Sequence, residues 1–287
     1  MNPATRLSEK FIDRVIDQSI DEDLGSGDIT TNAVVDPELK AKAEWISKEE
    51  GVICGLLIAK KVFQKLDREI EWNPLKKDGE HVSSGEQIVT FNGNCRAILS
   101  AERTALNFAQ RMSGIATQTH LGVKLLEGYK TQIVDTRKTV PGLRELDKYA
   151  VVSGGGKNHR MGLYDMAMVK DNHIVAAGGI IKAVKLIRER NPDVKIEVET
   201  TTLDQVAEAV EAGADIIMLD NMDTDKMRRC VKASAKLKPL EASGNITLDN
   251  VFEVAKTGVE RISIGALTHS VKAFDLSMRF SRKEVRG

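Results

Sequence analysis

Several short stretches of this sequence hold residues suited to binding an anion of more than one charge. Arg137 and Lys138 stand in Asp135-Thr136-Arg137-Lys138-Thr139, and Lys170 opens Lys170-Asp171-Asn172-His173. Lys157, His159 and Arg160 follow the run Gly154-Gly155-Gly156, whose lack of side chains lets backbone and cations approach a ligand. Taken singly, each of these cations reads as solvated basic surface. As a group they read differently, because two cations about 6 Å apart repel by about 3 kcal/mol at an effective dielectric of about 20. A ligand carrying two or more negative charges would compensate them, with arginine's planar fork matching carboxylate or phosphate and lysine giving a point charge. Glu199 and Asp220 supply hard oxygens without a His or Cys neighbour, a set that suits magnesium or sugar hydroxyls rather than zinc. Glu197 shares a strand face with Glu199, and its ordinary reading is a surface charge. Ser243-Gly244-Asn245 and Ile264-Gly265-Ala266 could offer backbone amides to a phosphate, or be plain helix-entry turns.

The elements that must position these residues follow from hydrophobic spacing. Short apolar runs occur at Gln132–Asp135, Met166–Val169, Lys195–Val198, Asp215–Leu219, Pro239–Ala242 and Arg261–Ile264. Helical patterns at Leu203–Ala212, Thr224–Leu237 and Leu248–Thr257 separate the later ones, which implies parallel strands with right-handed crossovers. The fold class is α/β, and this part is expected to be an incomplete β/α barrel, with a doubly wound open sheet as the structural alternative. In a barrel, every strand's C-terminal end opens onto one face, so the residues named above would share one mouth. Upstream, Leu7–Leu24 and Leu56–Leu66 read as helices, while Ala43–Cys54 and Gln87–Phe91 read as strands, giving a smaller α/β layer. A long helical pattern starts at Ala97 with an expected interruption near Ser113-Gly114. The domain border is placed near residue 112, with an N-terminal domain over 1–112 and the barrel over 113–270.

The 42 basic and 42 acidic residues cancel, which argues against broad nucleic-acid binding and makes any strong field local. No apolar run approaches the roughly 20 residues of a membrane span, and Met1-Asn2-Pro3-Ala4-Thr5-Arg6 leads into charged residues rather than a signal core. Cys54, Cys95 and Cys230 are odd in number and far apart, which suits a reducing compartment. A cytoplasmic protein without membrane or nucleic-acid partners is expected.

The stretches Glu22-Asp23-Leu24-Gly25-Ser26-Gly27-Asp28-Ile29-Thr30, Glu102-Arg103-Thr104-Ala105-Leu106-Asn107, Asp135-Thr136-Arg137-Lys138-Thr139, Asn158-His159-Arg160, Lys170-Asp171-Asn172-His173, Glu241-Ala242-Ser243-Gly244 and Gly265-Ala266-Leu267-Thr268-His269-Ser270 resemble, in order, those of quinolinate phosphoribosyltransferases. The resemblance implies an N-terminal α/β sandwich rejoined by the C-terminal tail 271–287, and an open β/α barrel. It implies an enzyme of NAD synthesis that makes nicotinate mononucleotide, pyrophosphate and carbon dioxide from quinolinate and phosphoribosyl pyrophosphate, with magnesium. Arg137, His159 and Arg160 would clasp the quinolinate carboxylates beside Thr136, with Lys138 and Lys170 assisting there or at the phosphoribosyl donor. Glu199 and Asp220 would face ribose hydroxyls and magnesium, while Ser243, Gly244, Asn245, Ile264, Gly265 and Ala266 would hold the 5′-phosphate. Arg103 would enter from the second subunit of a homodimer, with a hexamer as a further assembly, and no side chain is assigned as a nucleophile. Asn245 departs from the glycine that the family's pattern leads one to expect. The alternatives are a ModD-like phosphoribosyltransferase of the same fold and, from another class, a non-catalytic sensor of phosphorylated metabolites.

Overall fold

A computed structural model describes residues 7–234 and 237–282. The side chains of Ser8 and Asp28 each accept a backbone N–H three residues on, and so begin the first two helices. In chain order the elements are α1 (Glu9–Leu24), α2 (Ile29–Val34), β1 (Lys40–Ser47), β2 (Gly51–Val52), α3 (Leu56–Leu66), β3 (Glu71–Pro74), β4 (His81–Val82), β5 (Gln87–Asn94) and α4 (Cys95–Leu125). Next come β6 (Gln132–Val134), α5 (Arg144–Ser153), β7 (Ala167–Val169), α6 (Asp171–Ala177), α7 (Ile180–Arg190), β8 (Ile196–Thr200), α8 (Leu203–Glu211) and β9 (Ile216–Asp220). The last are α9 (Thr224–Ala233), β10 (Leu240–Ser243), α10 (Val251–Ala255), β11 (Arg261–Ser263), α11 (Ala266–His269) and β12 (Leu276–Arg282).

Two units result. The first holds the chain up to Gln118, Val140–Gly155 and the segment from Ser270; the second holds Thr119–Thr139 and Gly156–His269. In the first, β12, β1, β5 and β3 form an antiparallel sheet in that order, with β2 and β4 paired separately. β12 pairs along β1 as far as Arg282, and the tail residues 283–287 lie outside the described set. Ala41, Ala43 and Trp45 alternate inward along β1 and meet Ile58, Val62 and Phe63 of α3 in one core.

The sequence reading differs from the structure in three places here, the first being that Ala43–Cys54 divides into β1 and β2, which belong to separate sheets. α4 is not interrupted at Ser113-Gly114. The Ser113 hydroxyl accepts the Cys54 N–H at 2.8 Å and donates to the Cys54 carbonyl at 3.1 Å. A Cβ on Gly114 would stand 2.2 Å from the Lys272 carbonyl oxygen, so the small residues permit close packing rather than break the helix. Residues 140–155, read from sequence as barrel, belong to the first unit. The reason is burial: Leu146, Ala150 and Val151 of α5 join its core, and fully buried Asp147 takes two bonds from the Arg111 guanidinium at 3.0 and 2.9 Å.

In the second unit six strands run parallel in the order β6-β11-β10-β9-β8-β7. A doubly wound sheet reverses direction partway through its strand order. This one proceeds once around and fails to close only between β6 and β7, which defines an open β/α barrel. On that open side Lys157 makes a single parallel bridge to Val134, its N–H donating to the Ile133 carbonyl at 2.9 Å. Ile196, Val198, Ile217, Leu219, Leu240, Ala242, Ile262 and Ile264 share one apolar cluster with residues of the surrounding helices. Strand alternation therefore turns Glu197, Glu199, Glu241, Ser243 and Arg261 to the opposite face, the barrel interior. The expected helix Thr224–Leu237 crosses residues 235 and 236, which lie outside the described set; α9 is observed to Ala233. Among the described residues no helix is long and apolar enough to cross a membrane.

Candidate active site

The strand order fixes what faces what. Around the C-terminal rim, β6 delivers Thr136, Arg137 and Lys138, and neighbouring β11 delivers Gly265 and Ala266. Next come Ser243, Gly244 and Asn245 after β10, Asp220 at the end of β9, Glu199 on β8, and Lys170 after β7. Lys157, His159 and Arg160 occupy the gap between β7 and β6. The small-residue loops thus lie between the cations of β6 and the acids of β8 and β9, an order that sequence alone did not establish.

Local hydrogen bonds set the cationic side. Thr136 Oγ1 accepts the Lys138 N–H at 3.0 Å, and Thr268 Oγ1 donates to the Lys138 carbonyl at 2.8 Å. A Cβ on Gly265 would lie 2.9 Å from Lys138 Cδ, so this lysine runs over the β11 loop. Asp135, fully buried, accepts the His159 N–H at 2.9 Å and an Asn158 amide N–H at 2.5 Å. Arg160 donates Nη1–H to the Met166 carbonyl at 3.0 Å and Nη2–H toward the Met168 thioether at 3.6 Å. A thioether is a weak acceptor, so a carboxylate oxygen would compete well for that donor. Burial first, and then the positive charge of Arg137, lower the Arg160 pKa, while Glu197 and Asp165 act to raise it.

On the acidic side Lys170 and Glu199 form an ion pair. His173 Nδ1 accepts the Lys170 N–H at 3.0 Å, which explains the spacing Lys170-Asp171-Asn172-His173 as a helix start. The Asp220 carboxylate accepts an Asn221 amide N–H at 2.8 Å, and the Asn221 backbone N–H donates to the Ser243 carbonyl at 2.9 Å. Gly244 has φ +94, and a Cβ there would strike Asn221 Oδ1 at 2.2 Å, so only glycine fits. Asn245 has φ +53, the left-handed region that glycine fills freely and asparagine tolerates best among other residues. Its departure from glycine therefore keeps the loop's backbone shape. Ile264 leaves the expected phosphate set: its side chain is 2 % exposed and its N–H donates to the Val134 carbonyl at 3.0 Å. Arg103 is exposed on the part of α4 that belongs to the first unit.

The largest departure concerns Glu197, read from sequence as a surface charge. It is fully buried, as is Glu241, and both face His159. His159 Nε2 lies 2.9 Å from Glu197 Oε2 and 3.4 Å from Glu241 Oε1, while Nδ1 accepts the Arg160 N–H at 2.7 Å. Arg261 Nη1 stands 3.9 Å from the second Glu241 oxygen. Burial lowers the His159 pKa, but the neighbouring carboxylates of Glu197 and Glu241 raise it more, up to about 9. Burial also raises Glu197, and repulsion from Glu241 adds to it. Both directions retain one extra proton in the cluster. Because Nδ1 accepts from Arg160, that proton is shared on the Nε2 and carboxylate side, where it balances one carboxylate while Arg261 balances the other. A glutamate inside an otherwise apolar parallel strand was the available signal in Ile196–Val198 and Leu240–Ala242. Such a residue must be paired.

Residues 28–113 match the family described as Quinolinate phosphoribosyl transferase, N-terminal domain, and residues 115–279 match its C-terminal domain. The chain belongs to the quinolinate phosphoribosyltransferase family. A relative named probable nicotinate-nucleotide pyrophosphorylase [carboxylating] from Bacillus subtilis is 47 % identical over 258 residues, 90 % of this chain and 89 % of that protein. The chloroplastic nicotinate-nucleotide pyrophosphorylase [carboxylating] of Arabidopsis thaliana is 42 % identical over 92 % of this chain and 81 % of its own length. Among solved structures, the nicotinate-nucleotide pyrophosphorylase of Francisella tularensis superposes with a TM-score of 0.95 at 42 % identity, covering 98 % of this chain and 100 % of that one. Membership of the quinolinate phosphoribosyltransferase family accounts for a mouth with cations on one side and acids on the other. It leaves the glutamate–histidine cluster beneath that mouth to be explained by geometry.

Proposed function

We infer that this chain is a quinolinate phosphoribosyltransferase of NAD biosynthesis, converting quinolinate and phosphoribosyl pyrophosphate to nicotinate mononucleotide, pyrophosphate and carbon dioxide. The observation that carries the assignment of roles is that Arg137 follows β6 and Arg160 lies on the segment bridged to β6, close enough for the positive charge of Arg137 to act against that of Arg160. A dicarboxylate relieves that repulsion. Arg137 and Arg160 hold the two carboxylates, and Lys138 and Lys170 add positive charge toward them and toward the donor's diphosphate. Backbone at Ser243, Gly244, Asn245, Gly265 and Ala266 cradles the 5′-phosphate. Glu199 and Asp220, hard-oxygen groups on adjacent strands, accept from ribose hydroxyls and fit a magnesium ion shared with the donor. When bound, that ion neutralises charge on the departing pyrophosphate.

With the reactants so placed, the pyridine nitrogen forms its bond to the anomeric carbon as the bond to pyrophosphate breaks. The ring nitrogen becomes cationic. The adjacent carboxylate then leaves as carbon dioxide, its bonding pair passes to the ring carbon, and a proton from solvent completes the product. No side-chain nucleophile is required. Arg103 completes the site from a second copy of the chain, making the active species a homodimer in the cytoplasm.

The test is turnover of quinolinate with phosphoribosyl pyrophosphate and magnesium, reading nicotinate mononucleotide and carbon dioxide. Nicotinate leaves one arginine without its carboxylate, which costs a few kcal/mol, so kcat/KM should fall about a hundredfold. Comparable efficiency on nicotinate would overturn the dicarboxylate reading.

A further inference from the structure

His159, Glu197 and Glu241 put a histidine and two carboxylates where core packing alone would favour apolar side chains of similar volume. Their connections suggest a use. Arg160 lies on a segment that crosses the open side of the barrel, where the described main-chain pairing to β6 is the single bridge at Lys157. Beyond that bridge, the Met166 carbonyl and Met168 thioether hold the Arg160 guanidinium, and two further sets of contacts hold the chain before it. From β6, Asp135 holds the His159 N–H and the Asn158 side chain. From β8 and β10, the carboxylates of Glu197 and Glu241 stand 2.9 and 3.4 Å from His159 Nε2, and the same ring's Nδ1 takes the Arg160 N–H at 2.7 Å. The ring thus ties the start of Arg160 to two strands across the interior. Arg261, at 3.9 Å from Glu241, is the further charged group facing the cluster from β11, and Arg160 itself acts on it from the gap.

We propose that Glu197 and Glu241 are positioning residues for the reaction, anchoring the His159 ring across the barrel interior and through it setting Arg160 against the substrate's carboxylates. This rests on the role given to Arg160 above. It gives His159 an inward task, with both ring nitrogens turned to protein partners.

Glu197→Gln and Glu241→Gln keep side-chain size while removing the charge. In each, KM for quinolinate should rise about tenfold or more while KM for phosphoribosyl pyrophosphate stays within about twofold, a split that general loosening would not give. In an Arg160→Lys background, Glu241→Gln should add less than about twofold, because the group it positions has gone; fully additive effects overturn the proposal. Equal movement of both KM values, or none in a folded variant, also overturns it. Should the glutamine variants not fold, nitrogen-15 spectra of histidine-labelled wild type decide. A His159 ring with a hydrogen-bonded Nε2–H that does not titrate near pH about 6.5 supports the proposal, and ordinary titration there overturns it. One equivalent of divalent metal in the wild type, lost in both glutamine variants, would replace the proposal with a metal site. Absence of wild-type turnover defeats the functional reading alone, and the same coupling is then read from quinolinate binding by calorimetry.

Discussion

Trp45, Phe63, Trp72 and Phe91 fill the first unit's core with neighbouring rings, Phe63 and Phe91 having centroids 4.7 Å apart. The interior of the second unit's barrel instead holds Glu197, Glu241, His159 and Arg261, and its apolar residues lie outside, between strands and helices. The first interior draws its stability from buried apolar area. The second carries charges that cost desolvation and are kept neutral only as a set. On the proposal above, the second interior also holds the cation-rich rim in place.

The largest effect tests the proposed homodimer, by complementation between two copies of the chain. Chains carrying Arg103→Ala and Arg137→Ala should each be inactive, and mixing them with subunit exchange should restore about a quarter of wild-type activity. About half the dimers are then mixed, each with one intact site of two. No recovery despite demonstrated exchange would place Arg103 in its own chain's site.

Removing the indole of Trp45 should show the apolar interior at work. Trp45→Ala deletes a fully buried ring touching three aromatic neighbours and should lower unfolding free energy by about 3–5 kcal/mol in urea titrations. A loss under about 1 kcal/mol would mean that the aromatic cluster is not what secures this unit.

The charged interior should betray itself through pH. The cluster around His159 keeps its extra proton up to pH about 9, above the ordinary histidine value of 6.5, so its contribution is complete below pH about 6.5 and is lost as pH rises through about 9. At about 1.4 kcal/mol per pH unit the loss approaches about 3 kcal/mol. Urea midpoints should fall across that window in the wild type and less steeply in Glu241→Gln. Cys54, whose thiol burial raises, adds a loss above pH about 8.5 in both proteins, so the difference between them isolates the cluster. Identical slopes would contradict the shared proton.

The smallest effect belongs to the rim. Asn245→Ala places an alanine at φ +53 and should cost about 1 kcal/mol, whereas Asn245→Gly should leave stability within about 0.5 kcal/mol. The two variants losing stability equally would mean that Asn245 is held by its side-chain bond to Asn221 rather than by backbone shape.

Local chemistry was legible without coordinates. Hydrophobic runs marked β6 to β11 within a residue or two, and the stretches at Thr136, Lys170, Glu199, Asp220, Ser243 and Gly265 fell at the C-terminal ends of strands because strand alternation and turn residues act over a few positions. Lys157, His159 and Arg160 instead follow a helix and reach the rim across the open side. The inward face of Glu197 and Glu241 was not legible. In a parallel strand both faces are buried, so period-two spacing pairs Glu197 with Glu199 without saying which face looks inward. Closure was not legible either: that β6 joins β11 and stays apart from β7, that α5 packs with the first unit, and that α4 passes unbroken through Ser113-Gly114 all depend on contacts between residues distant in sequence. Short-range spacing specified the elements and the chemical groups at their ends. Assembly of the sheet chose which groups meet, because strand order and burial belong to the folded whole and no short window of residues contains them.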